Sequence, residues 1–394
     1  MKLDIAIAGA GIGGLAASAF LAQQGHAVTV YDQFDAPRPV GSGLVIQPVG
    51  LAVLDAIGAG DAARAAGNQI TRMLGHERDS GARVLDVWYD RSGAGETFGL
   101  AIHRASLFQA VLEAAQEAGI TLKAGHQVTG IEPGYLRFQN GTHSPRFDLI
   151  VDASGAAGGL SVMPARALPY GAIWGTVPWP EGTTLPKHQL TQTYRRADRM
   201  IGVLPCGTLP GDTQPQTAIF WSLPREAYDT WHTAPLERWK AEATALWPEF
   251  APFLETVTSH DQMTMARYSH GTLRAPYGDH LAIIGDSAHR ASPQLGQGAN
   301  MALLDAHALA LALKYEQNIS VALRHYAAAR RWHVRVYQAM SWAFTPQYQS
   351  DSLLLPKLRD RLFFPLSQIG PVPSILTRLV CGNLLPPLGS LTAR

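Results

Sequence analysis

Two stretches of this 394-residue chain have the residue types and spacing to hold a dinucleotide. The first is Gly9-Ala10-Gly11-Ile12-Gly13-Gly14, with Asp32 following 18 residues after Gly14. In a G-x-G-x-x-G turn the first glycine permits a tight reversal. The second lets backbone approach a pyrophosphate, and the third lets helix pack on strand. An acid at the position of Asp32 can accept from a ribose hydroxyl. The second stretch runs from Gly285-Asp286 through Pro293, Gly296 and Gly298 to Ala299-Asn300. It sets an acid at a strand end beside a helix N-terminus, whose free N–H groups and partial positive charge stabilise nearby negative charge. Alone, Gly285-Asp286 reads as an ordinary turn, and a lone G-x-G-x-x-G does not separate NAD from FAD.

These residues need elements to position them. Asp4 to Ala8 reads as a buried strand, Leu15 to Gln24 as a helix closed by Gly25, and Ala27 to Tyr31 as the next strand. Together they make a βαβ unit. Leu281 to Ile284 suits a short buried strand, and Ala299 to Leu313 reads as a nearly all-apolar helix buried on most sides. Asp35 to Gln47 reads as a Pro- and Gly-rich loop, and Leu51 to Ile57 as a short helix. Arg72 to Tyr89 alternates enough for strands at the edge of a substrate region. A helix is expected from about Arg104 to Ala118, and strands over Ile120 to Ala124, Gln127 to Ile131 and Phe147 to Ala153. From Leu168 to about Arg267 the texture changes to alternating segments rich in Trp, Thr and Pro, which predicts an antiparallel sheet with one helix near Leu236 to Trp247. Val321 to Trp342 reads as a long helix, and Asp351 to Leu388 as apolar, Pro-broken helices dotted with Lys357, Arg359, Arg361 and Arg378.

Composition narrows the function classes. Apolar residues make up 46% and charged residues 16%, so a large core is expected. Net charge is 32 minus 31, or +1, with no basic stripe, which argues against nucleic acid as a partner. Cys206 and Cys381 alone make no disulfide framework and suit a reducing cytosol. The opening residues do not read as a signal peptide, and no run of roughly 18 apolar residues is present. A cytoplasmic protein is expected. No metal-ligand spacing appears, so no metal is expected, and His289 and His307 read as structural. No Ser/His/Asp arrangement is supported, and no catalytic side chain is assigned.

The string G-D-S-A-H-x3-P-x2-G-Q-G-A-N-M-A, beginning 271 residues after Gly14, decides between the two cofactors. It resembles the second flavin motif of the FAD-dependent aromatic hydroxylases, the single-component flavoprotein monooxygenases of the p-hydroxybenzoate hydroxylase type. The resemblance implies FAD, with Gly9, Gly11, Ile12, Gly13, Gly14 and Asp32 at its dinucleotide end. It implies that Asp286 holds ribityl hydroxyls, while Pro293, Gly296, Gly298, Ala299 and Asn300 lie along the isoalloxazine. Gly41, Ser42 and Gly43 would sit beside the ring, Arg104 would reach the flavin phosphate or ribityl chain, and the Val128 backbone would lie near the adenine.

The resemblance also implies the fold: α/β, a Rossmann-type FAD-binding domain (residues 1–165 and 268–350) with an inserted antiparallel β-sheet substrate domain (166–267) and a C-terminal helical tail (351–394). That sheet would roof a substrate cavity, with Trp174, Tyr194 and Trp221 as candidate walls. The implied reaction is hydroxylation of an aromatic or polycyclic small molecule, in which NAD(P)H reduces FAD, O2 adds at flavin C4a and the hydroperoxide passes an OH to the ring. A related reductase or oxidase, or a flavin-bound ligand-binding protein without turnover, is the alternative. One motif departs from the family. After the strand ending at Ala153 the family has Asp-Gly, and here Ser154-Gly155 stands in its place with no Arg close behind. Both are still expected at the cofactor, but a lost carboxylate there predicts slow reduction by NAD(P)H. The chain is expected to act as a monomer or homodimer, with its tail touching lipid.

Overall fold

Ile5 and Ile7 project from one side of the first strand and Ala6 and Ala8 from the other, as strand alternation requires, and the two sides meet different layers. The isoleucines join Leu15, Leu21, Leu107, Val111, Leu303 and Leu309 from three helices. The alanines meet Tyr31, Leu136 and Phe138 beneath a small hairpin. The computed structural model describes residues 1–35, 42–92, 97–156, 158, 160 and 162–393. Its first sheet has the order Tyr277–Gly278, Leu281–Ile283, Leu149–Asp152, Asp4–Ala8, Ala27–Tyr31, Thr121–Lys123. All pairs are parallel except the first. Helices Ile12–Gln23, Arg104–Glu117 and Gly298–Tyr315 form one covering layer. The hairpin of Val128–Glu132 and Tyr135–Phe138 forms the other.

The second large sheet has eight strands, ordered His289–Arg290, Met263–Thr272, Arg166–Pro178, Gln216–Pro224, Arg199–Pro205, Gln189–Arg195, Arg72–Glu77 and Arg83–Trp88. Its pairs are antiparallel except Gln189–Arg195 with Arg72–Glu77. Two strands from the first 165 residues extend the edge of this sheet, Arg72–Glu77 beside Gln189–Arg195 and Arg83–Trp88 outside it. The loop expected over Asp35 to Gln47 also holds a strand, Gly43–Ile46, which joins Gly99–His103 and Asn68–Ile70 in a small antiparallel sheet between the two larger ones. The long helix runs Ile319–Tyr348, six residues past its expected end, and opens on Asn318, whose side chain accepts from Val321 N at 3.1 Å.

The tail is helical but not detached. Val380 and Cys381 enter the core under the eight-stranded sheet, and Leu388 and Leu391 enter the core of the parallel one. Among the described residues no helix is long and apolar enough to cross a membrane.

Candidate active site

The glycines of the first motif differ in why they are glycine. Gly9 has φ +107°, and a Cβ there would lie 2.5 Å from the carbonyl oxygen of Ala153. A Cβ on Gly14 would lie 2.0 Å from the carbonyl oxygen of Gly9, so helix and turn are in backbone contact. A Cβ on Gly13 would lie 3.0 Å from Ala302 Cβ, and Ile12 packs on the core. Gly11 is the exception: a Cβ there would meet no described atom within 4 Å. The turn is therefore tight on every side but one, and the open side is where the motif brings backbone to a pyrophosphate. Asp32 Oδ2 accepts from Ala10 N at 2.7 Å, which aims the carboxylate at that turn.

The Gly285–Ser287 turn follows the strand Leu281–Ile283, with Gly285 at φ +60°. The Asp286 side chain is exposed and is given no partner among the described residues, while its carbonyl accepts from Arg290 Nε at 2.9 Å. Ser287 reaches back to the neighbouring strand. Its hydroxyl accepts from Gly155 N at 2.9 Å and donates to Asp152 Oδ1 at 3.1 Å. The same Asp152 oxygen accepts from Ser154 N at 3.0 Å and Ser154 Oγ at 2.7 Å. Asp152 is 2% exposed and pairs in register with Ala8, one residue before Gly9. One buried carboxylate thus joins the Ser154-Gly155 segment and the Gly285–Ser287 turn, on a strand that pairs beside the start of the glycine turn. Sequence reasoning passed over it. A carboxylate two residues upstream is hydrogen-bonded to Ser154.

A third segment closes the cradle. Asn300, in the first turn of helix Gly298–Tyr315, accepts from Gln47 N at 2.8 Å and donates to Val45 O at 3.1 Å and Gly296 O at 2.9 Å. Both ends of its amide are engaged and it is fully buried. The Asn300 side chain stitches strand end to loop. Gly50 lies against it, since a Cβ there would sit 2.2 Å from Asn300 Oδ1. Gly296 is left-handed at φ +61°, Pro293 and Ala299 are half-buried, and Gly298 faces open space. Around this loop, Gln47 Nε2, Gln294 Nε2 and Gln297 Oε1 are buried without a hydrogen-bond partner among the described residues. Buried amides are normally paired, so orphaned polar atoms beside an open helix N-terminus fit a polar ring such as a flavin.

The remaining expected contacts separate. Gly41 lies outside the described residues. Ser42 O accepts from Arg104 N at 3.2 Å, which brings those two segments together. The exposed Arg104 guanidinium is given no partner among the described residues. Gly43 is glycine for packing, with a Cβ there 2.8 Å from Ala218 Cβ and 3.0 Å from Cys206 Cβ. Val128 opens its strand opposite Phe138 and packs beside the Tyr31 cluster.

A family model described as an FAD binding domain matches residues 2–340. This chain belongs to the family of FAD-dependent aromatic hydroxylases. It is an oxidoreductase whose cofactor is FAD. It is 28% identical over 359 residues to a putative 2-heptyl-3-hydroxy-4(1H)-quinolone synthase of Rhodococcus erythropolis, covering 85% of each chain. It is 26% identical to the hispidin-3-hydroxylase of Neonothopanus nambi over 92% of this chain and 93% of that one. In fold it is similar to a tetrameric form of 2-methyl-3-hydroxypyridine-5-carboxylic acid oxygenase, with TM-score 0.80, 19% identity and 96% of each chain covered.

In this hydroxylase the eight-stranded sheet has two unlike faces. Trp174, Phe220 and Tyr194 point toward the small central sheet and the tail. Trp174 lies 4.4 Å from the Phe220 ring and donates Nε1–H to the Tyr268 hydroxyl at 2.8 Å. Tyr194 lies 5.2 Å from Tyr348, and the Arg359 guanidinium stands 5.1 Å over its ring. Trp221 faces the other way, against Trp239 and the helices that cover the sheet's outer side. It is a core residue there, on the face of the sheet opposite to Trp174.

Behind the cradle lies a buried charge cluster. Asp305 accepts from Gly285 N at 2.9 Å, His289 Nε2 at 2.6 Å and Arg330 Nε at 2.7 Å. Arg330 also donates to Pro387 O, and His333 Nε2 contacts Gly382 O at 2.8 Å. Burial pushes the Asp305 carboxyl up, but His289 and Arg330 outweigh it and hold it down at about 2. Burial, with Arg330 beside it, pushes His333 down to about 3. His307 stacks on Phe20 at 4.7 Å as a packing residue. Among the described residues no group of His, Cys, Asp or Glu is arranged to hold a metal.

Proposed function

We propose that this flavoprotein hydroxylates an electron-rich aromatic or heteroaromatic small molecule, using O2 and NADH or NADPH. This reading is supported by the FAD binding domain match together with the aromatic side chains on the sheet face turned toward the small central sheet. Relatives named for a quinolone, hispidin and a hydroxypyridine carboxylic acid support it. FAD, when bound, supplies two-electron chemistry with the nicotinamide and with oxygen. The protein's own contribution is positional. Gly9 to Gly14 and Asp32 receive the dinucleotide end, Asp286 the ribityl chain, and the Pro293–Gly298 loop the ring. Trp174, Phe220 and Tyr194 belong to the roof that keeps water from the reacting atoms. Asp152 holds Ser154 and Ser287 in place beside the corner where the reductant is handled. The test is NAD(P)H-driven turnover with a panel of phenols and hydroxyquinolines in 18O2. The expected result is substrate-stimulated oxygen uptake and one labelled oxygen in the product. Unlabelled product formed anaerobically at the aerobic rate would replace hydroxylation with a reductase reading.

The finer expectations of place belong here too. We read the enzyme as a cytoplasmic monomer or homodimer whose tail rests on lipid. Leu362, Leu366 and Ile369 are exposed at i, i+4 and i+7, with Leu353 and Leu354 just before them. Lys357, Arg361 and Arg378 are exposed, while the acids of the segment are engaged: Asp351 accepts from the Tyr170 hydroxyl and Asp360 from Arg359. A greasy stripe flanked by free cations suits an anionic bilayer surface. Each such cation contributes about 1 kcal/mol. Co-sedimentation with phosphatidylserine vesicles is therefore expected to fall with salt and in a Lys357→Glu/Arg361→Glu variant. Equal sedimentation of wild type and variant at low salt would end this reading.

A further inference from the structure

Gln47 carries a hydrogen-bond donor that no described protein group takes up. The residue is fully buried, and its Nε2 has no partner. Its other polar atoms are fixed. The main-chain N donates to Asn300 Oδ1 at 2.8 Å, and the side-chain Oε1 accepts from the Tyr89 hydroxyl at 2.8 Å. Tyr89 is itself fully buried, against Gly99, where a Cβ would lie 2.3 Å from the phenol oxygen. Burial pushes the Tyr89 phenol well above its ordinary value, so the hydroxyl keeps its proton and remains a donor. With the Tyr89 hydroxyl donating to Oε1, the amide nitrogen is the end left without a partner. The NH2 group is thereby turned toward the loop, where a Cβ on Gly296 would lie 3.6 Å from it.

Asn300 and Tyr89 thus grip Gln47 from two sides and leave one donor facing the cradle. A buried amide without a partner is unfavourable and is normally relieved by a ligand. We propose that the Gln47 side-chain amide donates a hydrogen bond to an oxygen or nitrogen acceptor on the edge of the flavin ring, with Tyr89 as the residue that sets its orientation. The proposal rests on the flavoprotein reading and adds to it a contact that neither glycine motif contains. It carries a directional consequence. Reduction places more negative charge on the acceptor edge of the ring, so a fixed donor there binds reduced FAD more tightly than oxidised FAD. Gln47 therefore raises the two-electron potential. The same donor could serve an oxygen of the aromatic substrate, and substrate-free measurements separate the two.

The experiment uses the full-length holoenzyme without substrate, in wild type, Gln47→Met, Gln47→Glu and Tyr89→Phe. The readouts are the FAD dissociation constant, the visible flavin spectrum and the midpoint potential, with the melting temperature of each apoprotein as the folding control. Loss of one net hydrogen bond corresponds to about fivefold in affinity. Gln47→Met is expected to weaken oxidised FAD about fivefold and reduced FAD about fivefold further. That second factor lowers the potential by about 20 mV at 29.6 mV per tenfold for two electrons. Gln47→Glu keeps the shape but replaces donor with acceptor, so its loss is expected to be larger. Tyr89→Phe frees the amide to turn and is expected to move the same readouts in the same direction by less. Wild-type dissociation constant, spectrum and potential in folded Gln47→Met and Gln47→Glu would overturn the proposal while leaving the enzyme a flavoprotein. A wild-type protein that takes up no FAD would overturn the cofactor reading itself, before any variant is compared.

Discussion

Asp305→Ala is expected to lower the unfolding free energy by about 3–5 kcal/mol, the usual result of removing one partner from a buried ion pair. Arg330 is 2% exposed and would keep its charge without the carboxylate, while Gly285 N and His289 would lose their acceptor. The effect should reach the cofactor, because Gly285 N is the first donor of the turn that presents Asp286. Urea titration of the apoprotein reads the stability, and FAD release reads the turn. Arg330→Met added to Asp305→Ala should recover part of the stability, since the stranded charge is then gone. It should not recover FAD affinity. A single variant within 1 kcal/mol of wild type would mean that the cluster is solvated in solution.

The same cluster sets an acid limit. His333 has a folded value depressed to about 3 against 6.5 for the free side chain, so the unfolded chain takes up a proton that the fold refuses. Stability therefore falls as pH drops from 6.5 toward 3. Asp305, depressed to about 2 from 3.8, contributes stability that is present above 3.8 and is lost as pH falls through 2. The first loss precedes the second, so acid is expected to loosen the contact of His333 with Gly382 before it releases the Gly285–Ser287 turn from Asp305.

The second large effect is a contrast between two glycines three residues apart. Gly14→Ala would place a methyl group 2.0 Å from a backbone oxygen that cannot rotate away, and a loss of at least about 3 kcal/mol is expected, with no FAD retained. Gly11→Ala meets nothing within 4 Å and has φ −74° and ψ 177°, which alanine adopts freely. Its apoprotein should melt with wild type. The methyl group would instead occupy the open side of the turn, and overpacking of roughly 1–3 kcal/mol there corresponds to about 5- to 150-fold in FAD affinity. Equal FAD affinity in Gly11→Ala would mean that the pyrophosphate does not pass over this residue.

Much of this was legible in the sequence, for identifiable reasons. The glycine motifs announce themselves because backbone geometry leaves no other residue type, as Gly9 and Gly14 show. The strands from Arg166 to Pro224 announce themselves by alternation. Register does not. Ile173 pairs with Trp221 and Trp174 with Phe220, so residues directly opposite share a face and the two tryptophans lie on opposite sides of the sheet. Only the pairing tells them apart, and no single strand contains it. Arg72–Glu77 gave no sign of its partner because that partner, Gln189–Arg195, lies more than a hundred residues on in the chain. Asp152, Gln47 and Asp305 escaped for a different reason. Each is a lone polar residue in an apolar run, and its importance lies in burial and in what converges on it.

The core of the parallel sheet is assembled from distant parts of the chain. Ile5 and Ile7 share it with Ala282 and Leu309, and it is completed by Leu388 and Leu391. On the ribosome, the amino-terminal strands are made first and emerge with their greasy faces bare, because the strand that borders Leu149–Asp152 is synthesised only at Leu281–Ile283. Domains commonly fold in the order in which they are translated, but here the core of the parallel sheet is completed only by Leu388 and Leu391. The greasy faces of Ile5 and Ile7 therefore wait for partners made hundreds of residues later, the kind of exposed apolar surface that chaperones cover.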